Sequence, residues 1–177
     1  MTLSPIVKAG NPSLKMRSQE VDLPQIETPE IQSIIDNLIA TMQHYHGAGL
    51  CAPQIGINLR IISYGFDVNP RYPNAGPVSL TIMINPIILN HSQDMQQGFE
   101  GCLSFGTLRG EVPRYTQLQV KFFDRTGNEI IKSVNDFEAR IIQHEVDHLD
   151  GIFFIERMNK FNHFGFTEEL KTYGVIP

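Results

Sequence analysis

The segment QHEVDHLDG near the C-terminus constrains this chain more than any other stretch. His144 and His148 are four residues apart, so on an α-helix they differ by about 40° and one turn, and both imidazoles can reach one metal ion. Glu145 lies roughly 100° round from His144, beside that site and within reach of a water there. Ile141, Ile142 and Leu149 put the cluster on a part-buried helix. Ionisable groups buried together need a partner, and a metal supplies one. Cys102, in EGCLS about forty residues earlier, is the natural third ligand, with the fourth position left for water.

Each of these residues also has a plainer explanation. His-Glu-x-x-His occurs by chance on exposed polar helix faces. A free cysteine between Gly101 and Leu103 can be a small buried hydrophobe. The loop GAGLCAPQ (47–54) can be a helix C-cap and turn, although Gly47 and Gly49 also let another backbone approach closely, and Gln54 brings an amide donor of the kind an amide hydrolase aims at an oxyanion. If a Cys/His/His set does hold the metal, its net charge is about +1, against +2 for three histidines. Bound water is then less acidic and Glu145 matters more as a base.

Length and charge narrow the class. A chain of 177 residues, 41% hydrophobic and 19% charged, reads as one soluble domain over 1–177. A net charge of −5, with no Lys/Arg block, argues against nucleic acid or an anionic membrane as the main partner. No apolar run approaches the ~20 residues that span a bilayer. The N-terminus lacks an apolar signal region, so the expected setting is cytoplasmic, with an organellar precursor as the alternative. In that setting Cys51 and Cys102 are expected to stay unlinked.

Along the chain, a short helix is expected over Ser13–Ser18 and a strong one from Thr28 (N-cap) and Pro29 to before Gly47. Its apolar stripe is Ile31, Ile34, Ile35, Leu38, Ile39 and Met42. Strands are expected at Leu59–Tyr64 and Leu80–Leu89, where Pro86 signals an edge or a break. Gln117–Phe123 and Glu129–Val134 form a hairpin through Asp124–Gly127. The metal helix runs from about Asp136, as N-cap, to Leu149, with Gly151 just beyond. A short strand at Ile152–Ile155 and weak helix at Thr167–Lys171 follow. The pattern is α+β in a single domain.

Taken together and in order, GAGLCAPQ, EGCLS and QHEVDHLDG resemble the three signature motifs of the peptide deformylases. GEVPR (110–114) and GNPSLKMRSQEV are similar to lesser landmarks of that family, and the likeness runs from Ile6 to Met158. The resemblance implies small antiparallel and mixed β-sheets packed around a central metal-binding helix. It implies a divalent ion on Cys102, His144 and His148, typically Fe2+, with Zn2+, Ni2+ or Co2+ able to substitute. By ligand type alone the set suits zinc. Glu145 becomes general base and then proton shuttle, and the Gln54 side chain with the Leu103 N–H becomes the oxyanion hole. Gly47, Gly49, Glu100, Arg109 and Ile141 fall on the substrate side, the last in a pocket for a methionine side chain. The implied reaction removes the N-formyl group from formyl-methionine at the start of new polypeptides, releasing formate, with water at the metal as nucleophile. The implied partners are formyl-methionyl nascent chains, with a transient ribosome contact and neither nucleic acid nor membrane required.

The chain departs from the family pattern at Cys51, where alanine is usual, and at Phe105-Gly106-Thr107, which lacks the common Pro-Gly. The tail after Met158 does not read as a basic ribosome-docking helix. Two other readings stay open on the residues alone: a metallopeptidase cleaving internal bonds, and a non-catalytic metal-binding or thiol-sensing protein.

Overall fold

The first long element in the computed structural model, which describes residues 3–176, is α1 (Pro29–His44). The Thr28 hydroxyl accepts the Ile31 N–H, Pro29 opens the first turn, and Glu30 faces the positive end of the helix dipole. Ile31, Ile35, Leu38 and Met42 are buried along one stripe and share a core with Leu50, Ile61, Ile82 and Ile84. Each such side chain contributes roughly 2 kcal/mol on burial.

Eight strands follow: β1 (Gly49–Cys51), β2 (Ile61–Phe66), β3 (Val78–His91), β4 (Met95–Gly101), β5 (Leu108–Tyr115), β6 (Gln117–Phe123), β7 (Glu129–Asn135) and, near the end, β8 (Phe164–Phe166). Two more helices are α2 (Asp136–Leu149) and the short α3 (Thr167–Thr172). One antiparallel sheet has the order β1-β2-β3-β6-β7 and the other the order β4-β5-β8. Alternation along β2 and β3 divides the interior in two. Ile61, Ile82 and Ile84 join the core under α1. Ile62, Tyr64 and Met83 join a second core with Ala139, Ile141, Ile142 and Leu149 of α2. On its other side α2 reaches the small sheet: Arg140 donates to Gln96 O and Gly98 O of β4 and to Val112 O of β5. The helix carrying the histidines is therefore central, between the two sheets, in a single small α+β domain. No helix among the described residues is long and apolar enough to cross a membrane.

Several local expectations differ from the structure. Residues 13–18 are not a helix; a single 3-10 turn, Pro12–Lys15, is capped by Asn11 and stops where Met16 turns extended. Pro86 lies inside a central strand, between β2 and β6, and is tolerated because the register shifts there, with Asn85 at φ 51°. Asn135, not Asp136, precedes α2; neither side chain caps it, and the Asp136 N–H goes to Thr116 O at 2.8 Å. Ile152–Ile155 is no strand. Phe154 is buried against Cys102 and Val112 and opens a 3-10 turn to Arg157, closed by Glu156 accepting the Phe153 N–H.

The second sheet carries no clear alternation in sequence. Strand β4 (MQQGFEG) is half exposed, and a Cβ at Gly98 would sit 2.8 Å from the Arg140 guanidinium. Strand β5 buries Arg109 and Arg114 where a strand pattern expects apolar residues.

Candidate active site

Three elements meet over the first turns of the chain's chemistry. Helix α2 brings His144, Glu145 and His148; the end of β4 delivers Cys102 at the head of a 3-10 turn, Leu103–Phe105; β1 and the following turn, Ala52–Ile55, bring Gly49 and Gln54. The ligand atoms of Cys102, His144 and His148 lie within 4.8 Å of one another, all buried. Cys102 Sγ is 3.1 Å from His148 Nε2. Burial pushes the Cys102 thiol up, but the His148 charge and hydrogen bonds from both imidazoles outweigh it and hold the thiol well below its ordinary value. The same neighbours act in reverse on His144: burial pulls it down, yet Cys102 and Glu100 raise its proton affinity well above normal. A buried thiolate facing two imidazoles is a cation-seeking set, and sulfur with two nitrogens suits a tetrahedral divalent metal with one open position. The residues fit the ion.

Behind His144 stands Glu100. His144 Nδ1–H donates to its Oε2 at 2.9 Å, which leaves Nε2 for the metal side. Arg114 grips the same carboxylate through Nε and Nη2 (2.9 and 3.0 Å), and Arg140 Nη1 adds a third arm at 2.9 Å. Arg114 also reaches Asp147, which holds Arg157. Burial would raise Glu100, but the Arg114 charge and the His144 bond hold its carboxyl well below the usual range. Glu100 is expected on the substrate side, and it does line the cavity. Its oxygens are taken up by Arg114, Arg140 and His144, so it orients the His144 ring and counter-charges two buried arginines.

Glu145 is 4% exposed and its Oε2 has no hydrogen-bond partner among the described residues. Burial raises its carboxyl against the opposing pull of the His144 and His148 charges, which favours a group that takes and returns protons. Gln54 is buried with its amide orientation fixed. Oε1 accepts the Cys51 N–H (3.1 Å) and Sγ–H (3.3 Å), so Nε2 points at Cys102 Sγ (3.4 Å) and Ser104 Oγ (3.2 Å). Cys51 thus occupies the usual alanine position as a small buried donor, and both cysteines are free.

A cavity of about 440 Å³, open solvent included, holds Gly49, Gln54, Leu103, Ile141 and Glu145 along its walls beside Cys102 and His144. A Cβ on Gly49 would lie 2.6 Å from Glu145 Oε1 and 2.9 Å from Ile141 Cγ2. Gly49→Ala is therefore expected to displace the carboxylate and lower kcat at least tenfold, since small misplacements near reacting groups cost that much. Thermal unfolding should shift little by comparison; unchanged kcat would show the carboxylate has room to move.

Two residues expected on the substrate side, Gly47 and Arg109, do not line this cavity. Gly47 sits one layer back, where a Cβ would meet Gly49 O at 3.0 Å and Leu103 Cδ1 at 3.3 Å, so it packs the loop rather than lining the cavity. Arg109 lies over the Tyr72 ring at 5.0 Å, in an adjoining groove. Arg71, Tyr72 and Phe137 line the cavity and escaped the sequence reading. The stretch around Asn69–Asn74 reads only as turns, and nothing in it marks a wall.

Comparison with known proteins agrees with this geometry. The family model described as polypeptide deformylase matches residues 3–164. Peptide deformylase 2 of Ralstonia nicotianae is 45% identical over 95% of this chain and 94% of its own length. Peptide deformylase 1 of Nitrosomonas europaea is 41% identical over 95% and 94%. Among solved structures, a class I type b peptide deformylase from Acinetobacter baumannii with Met-Ala-Ser bound has TM-score 0.86 and 38% identity, covering 89% of this chain and 99% of that one. An actinonin-bound structure of the same relative has TM-score 0.82 and 34% identity, covering 90% and 100%. A match along nearly the whole chain, in sequence and in fold, leaves one assignment: the chain belongs to the polypeptide deformylase family and is a metallohydrolase.

Proposed function

We propose that residues 1–177 act as one catalytic domain that removes the formyl group from N-terminal formyl-methionine of new polypeptides, releasing formate. The observation that carries this is the convergence of Cys102, His144 and His148 beside a buried, half-unpartnered Glu145. Cys102, His144 and His148 would hold the divalent ion, Fe2+ by family and Zn2+ by ligand type alone. When bound, the ion supplies the Lewis acidity that makes water nucleophilic at neutral pH.

The chain's own residues do the rest. Glu145 takes the proton of the attacking water and hands it to the departing amine nitrogen. Gln54 Nε2 and the Leu103 N–H donate to the oxygen that gains charge as the formyl carbon becomes tetrahedral. The bare backbone at Gly49 aligns the peptide in strand-like fashion, and Ile141 packs on the methionine side chain. Arg140 and Arg114 fix Glu100, Glu100 fixes the His144 ring, and the ring is thereby oriented before any ion arrives. The two free, buried cysteines fit a reducing, cytoplasmic setting, where chains leaving the ribosome supply the substrate.

The test is formate release from formyl-Met-Ala-Ser against its acetylated analogue, with metal analysis of anaerobically purified protein. Formate from the first alone, in proportion to metal and abolished by a chelator, supports the reading. Cleavage of internal bonds in longer peptides, without formate, would replace it with a peptidase.

A further inference from the structure

A larger groove, about 1400 Å³ with open solvent included, adjoins the active-site cavity. Arg71, Tyr72 and Phe137 line both, so the two spaces share a wall. One wall is the chain from Pro70 to Ala75. The opposite wall is the C-terminal tail, through Thr167, Lys171 and Ile176. That tail is tied at its start, where the Thr167 N–H and hydroxyl donate to Thr107 O at 2.9 and 2.6 Å, and it closes on itself through the Val175 N–H to Leu170 O at 2.8 Å. Thr107 belongs to the loop that departs from the family pattern.

Among the described residues that line this groove, the charged side chains are all basic. Arg17, Arg60, Arg114, Arg125, Arg140 and Arg157 each lie within 4.0 Å of a carboxylate. Arg71 and Arg109 have no such partner among the described residues, nor does Lys171, and all three line the groove. This is in a chain whose net charge is −5. Arg109 is buried and immobilised without a counter-charge, stacked on Tyr72 and pressed so close to Gly101 that a Cβ there would meet its Cδ at 3.0 Å. Arg71 is half-buried. Burial makes its charge costly to keep; the Arg109 charge adds to that cost, and Tyr72, Cys102 and Glu145 offset it only in part. Neighbouring guanidiniums, one of them packed against Tyr72, both part-desolvated and without a carboxylate partner among the described residues, are a seat for a carboxylate. Phe99, Phe137 and Ile176 offer apolar contact to the stem that carries it.

We propose that this groove selects formylated peptides with an acidic side chain on the residue directly after methionine, read by Arg71, Arg109 and Lys171. The proposal rests on the deformylase reading above. The C-terminal tail, outside the metal site, then takes part in substrate choice.

The experiment uses the metal-loaded full chain and C-terminal amides of formyl-Met-Asp-Ser and formyl-Met-Asn-Ser, with the free acid of the second as a separate arm. At low ionic strength kcat/KM for the Asp peptide is expected to exceed that for its isostere by roughly five- to tenfold. The ratio should fall as salt is raised and collapse in Arg71→Gln, with Lys171→Gln lowering it in part. Calorimetric titration with the deformylated amides, Met-Asp-Ser and Met-Asn-Ser, should give the same order without any turnover. Equal kcat/KM and equal affinity for the two amides would overturn the proposal, as would an Asp preference untouched in Arg71→Gln. A gain confined to the free-acid arm would mean the arginines take a chain terminus and not a side chain, which also overturns it. Formate from none of the peptides is a different failure, that of the deformylase reading.

Discussion

Glu145→Gln is expected to keep its metal and lose turnover by roughly 10²–10⁴-fold, the range a positioned proton-transfer group contributes. Glutamine has the same shape, so the close approach of this side chain to Gly49 survives. The three ligand atoms are on other side chains and are untouched. What goes is the capacity to accept a proton in a place where burial already raises the carboxyl's affinity for one. Kinetics on a formyl-Met peptide, with metal content measured on the same sample, separate the two effects. Turnover near that of the unaltered chain would remove Glu145 from the mechanism. Loss of metal together with activity would mean that the carboxylate helps hold the ion.

Glu100→Ala is expected to be the most damaging change behind the metal ligands. Removing the carboxylate leaves Arg140 with only carbonyl partners and Arg114 with Asp147 alone, both buried. Stripping one member from a buried ionic set costs about 3–5 kcal/mol. The same change frees the His144 ring, and loss of such an outer partner lowers metal affinity by about 10–100-fold. Chemical denaturation reads the first effect and competition with a chelator reads the second. A stable variant with unaltered affinity would show that the arginines, and not the carboxylate, organise this layer. The pH dependence has a defined sign. Glu100's carboxyl is held low in the fold, so its contribution is complete above the ordinary carboxylate range, near pH 4. It is lost only as pH falls below that range. Part of the acid-induced loss of stability below about pH 4 should therefore be missing in Glu100→Ala.

How much of this was legible beforehand differs by element. Helix α1 was readable from Thr28, Pro29 and a stripe of isoleucines, because both its cap and its buried face are local in sequence. Strands β6 and β7 were readable because one face is wet and the other dry. Strands β4 and β5 were not, since what they bury is charge. Arg114 sits in the interior only because Glu100 and Asp147, distant in the chain, are there to meet it. The 3-10 turn at Phe154–Arg157 looked like a strand for a similar reason: Phe154 is apolar, but its contacts, Cys102 and Val112, are long-range.

The sequence by itself determined the chemistry. Two histidines one helical turn apart, a glutamate between them, and a cysteine and a glutamine in distinct short motifs are properties of residue type and local spacing. Only the tertiary structure decided which neighbours tune that chemistry. It paired Glu100 with His144 and two arginines, left Gly47 and Arg109 off the cavity wall, and set Arg71 on the wall of both the cavity and the groove that reaches the C-terminal tail. The physical reason is that charge pairing and close backbone approach depend on distance through space, and residues several turns or strands apart in the chain leave no periodic trace of it.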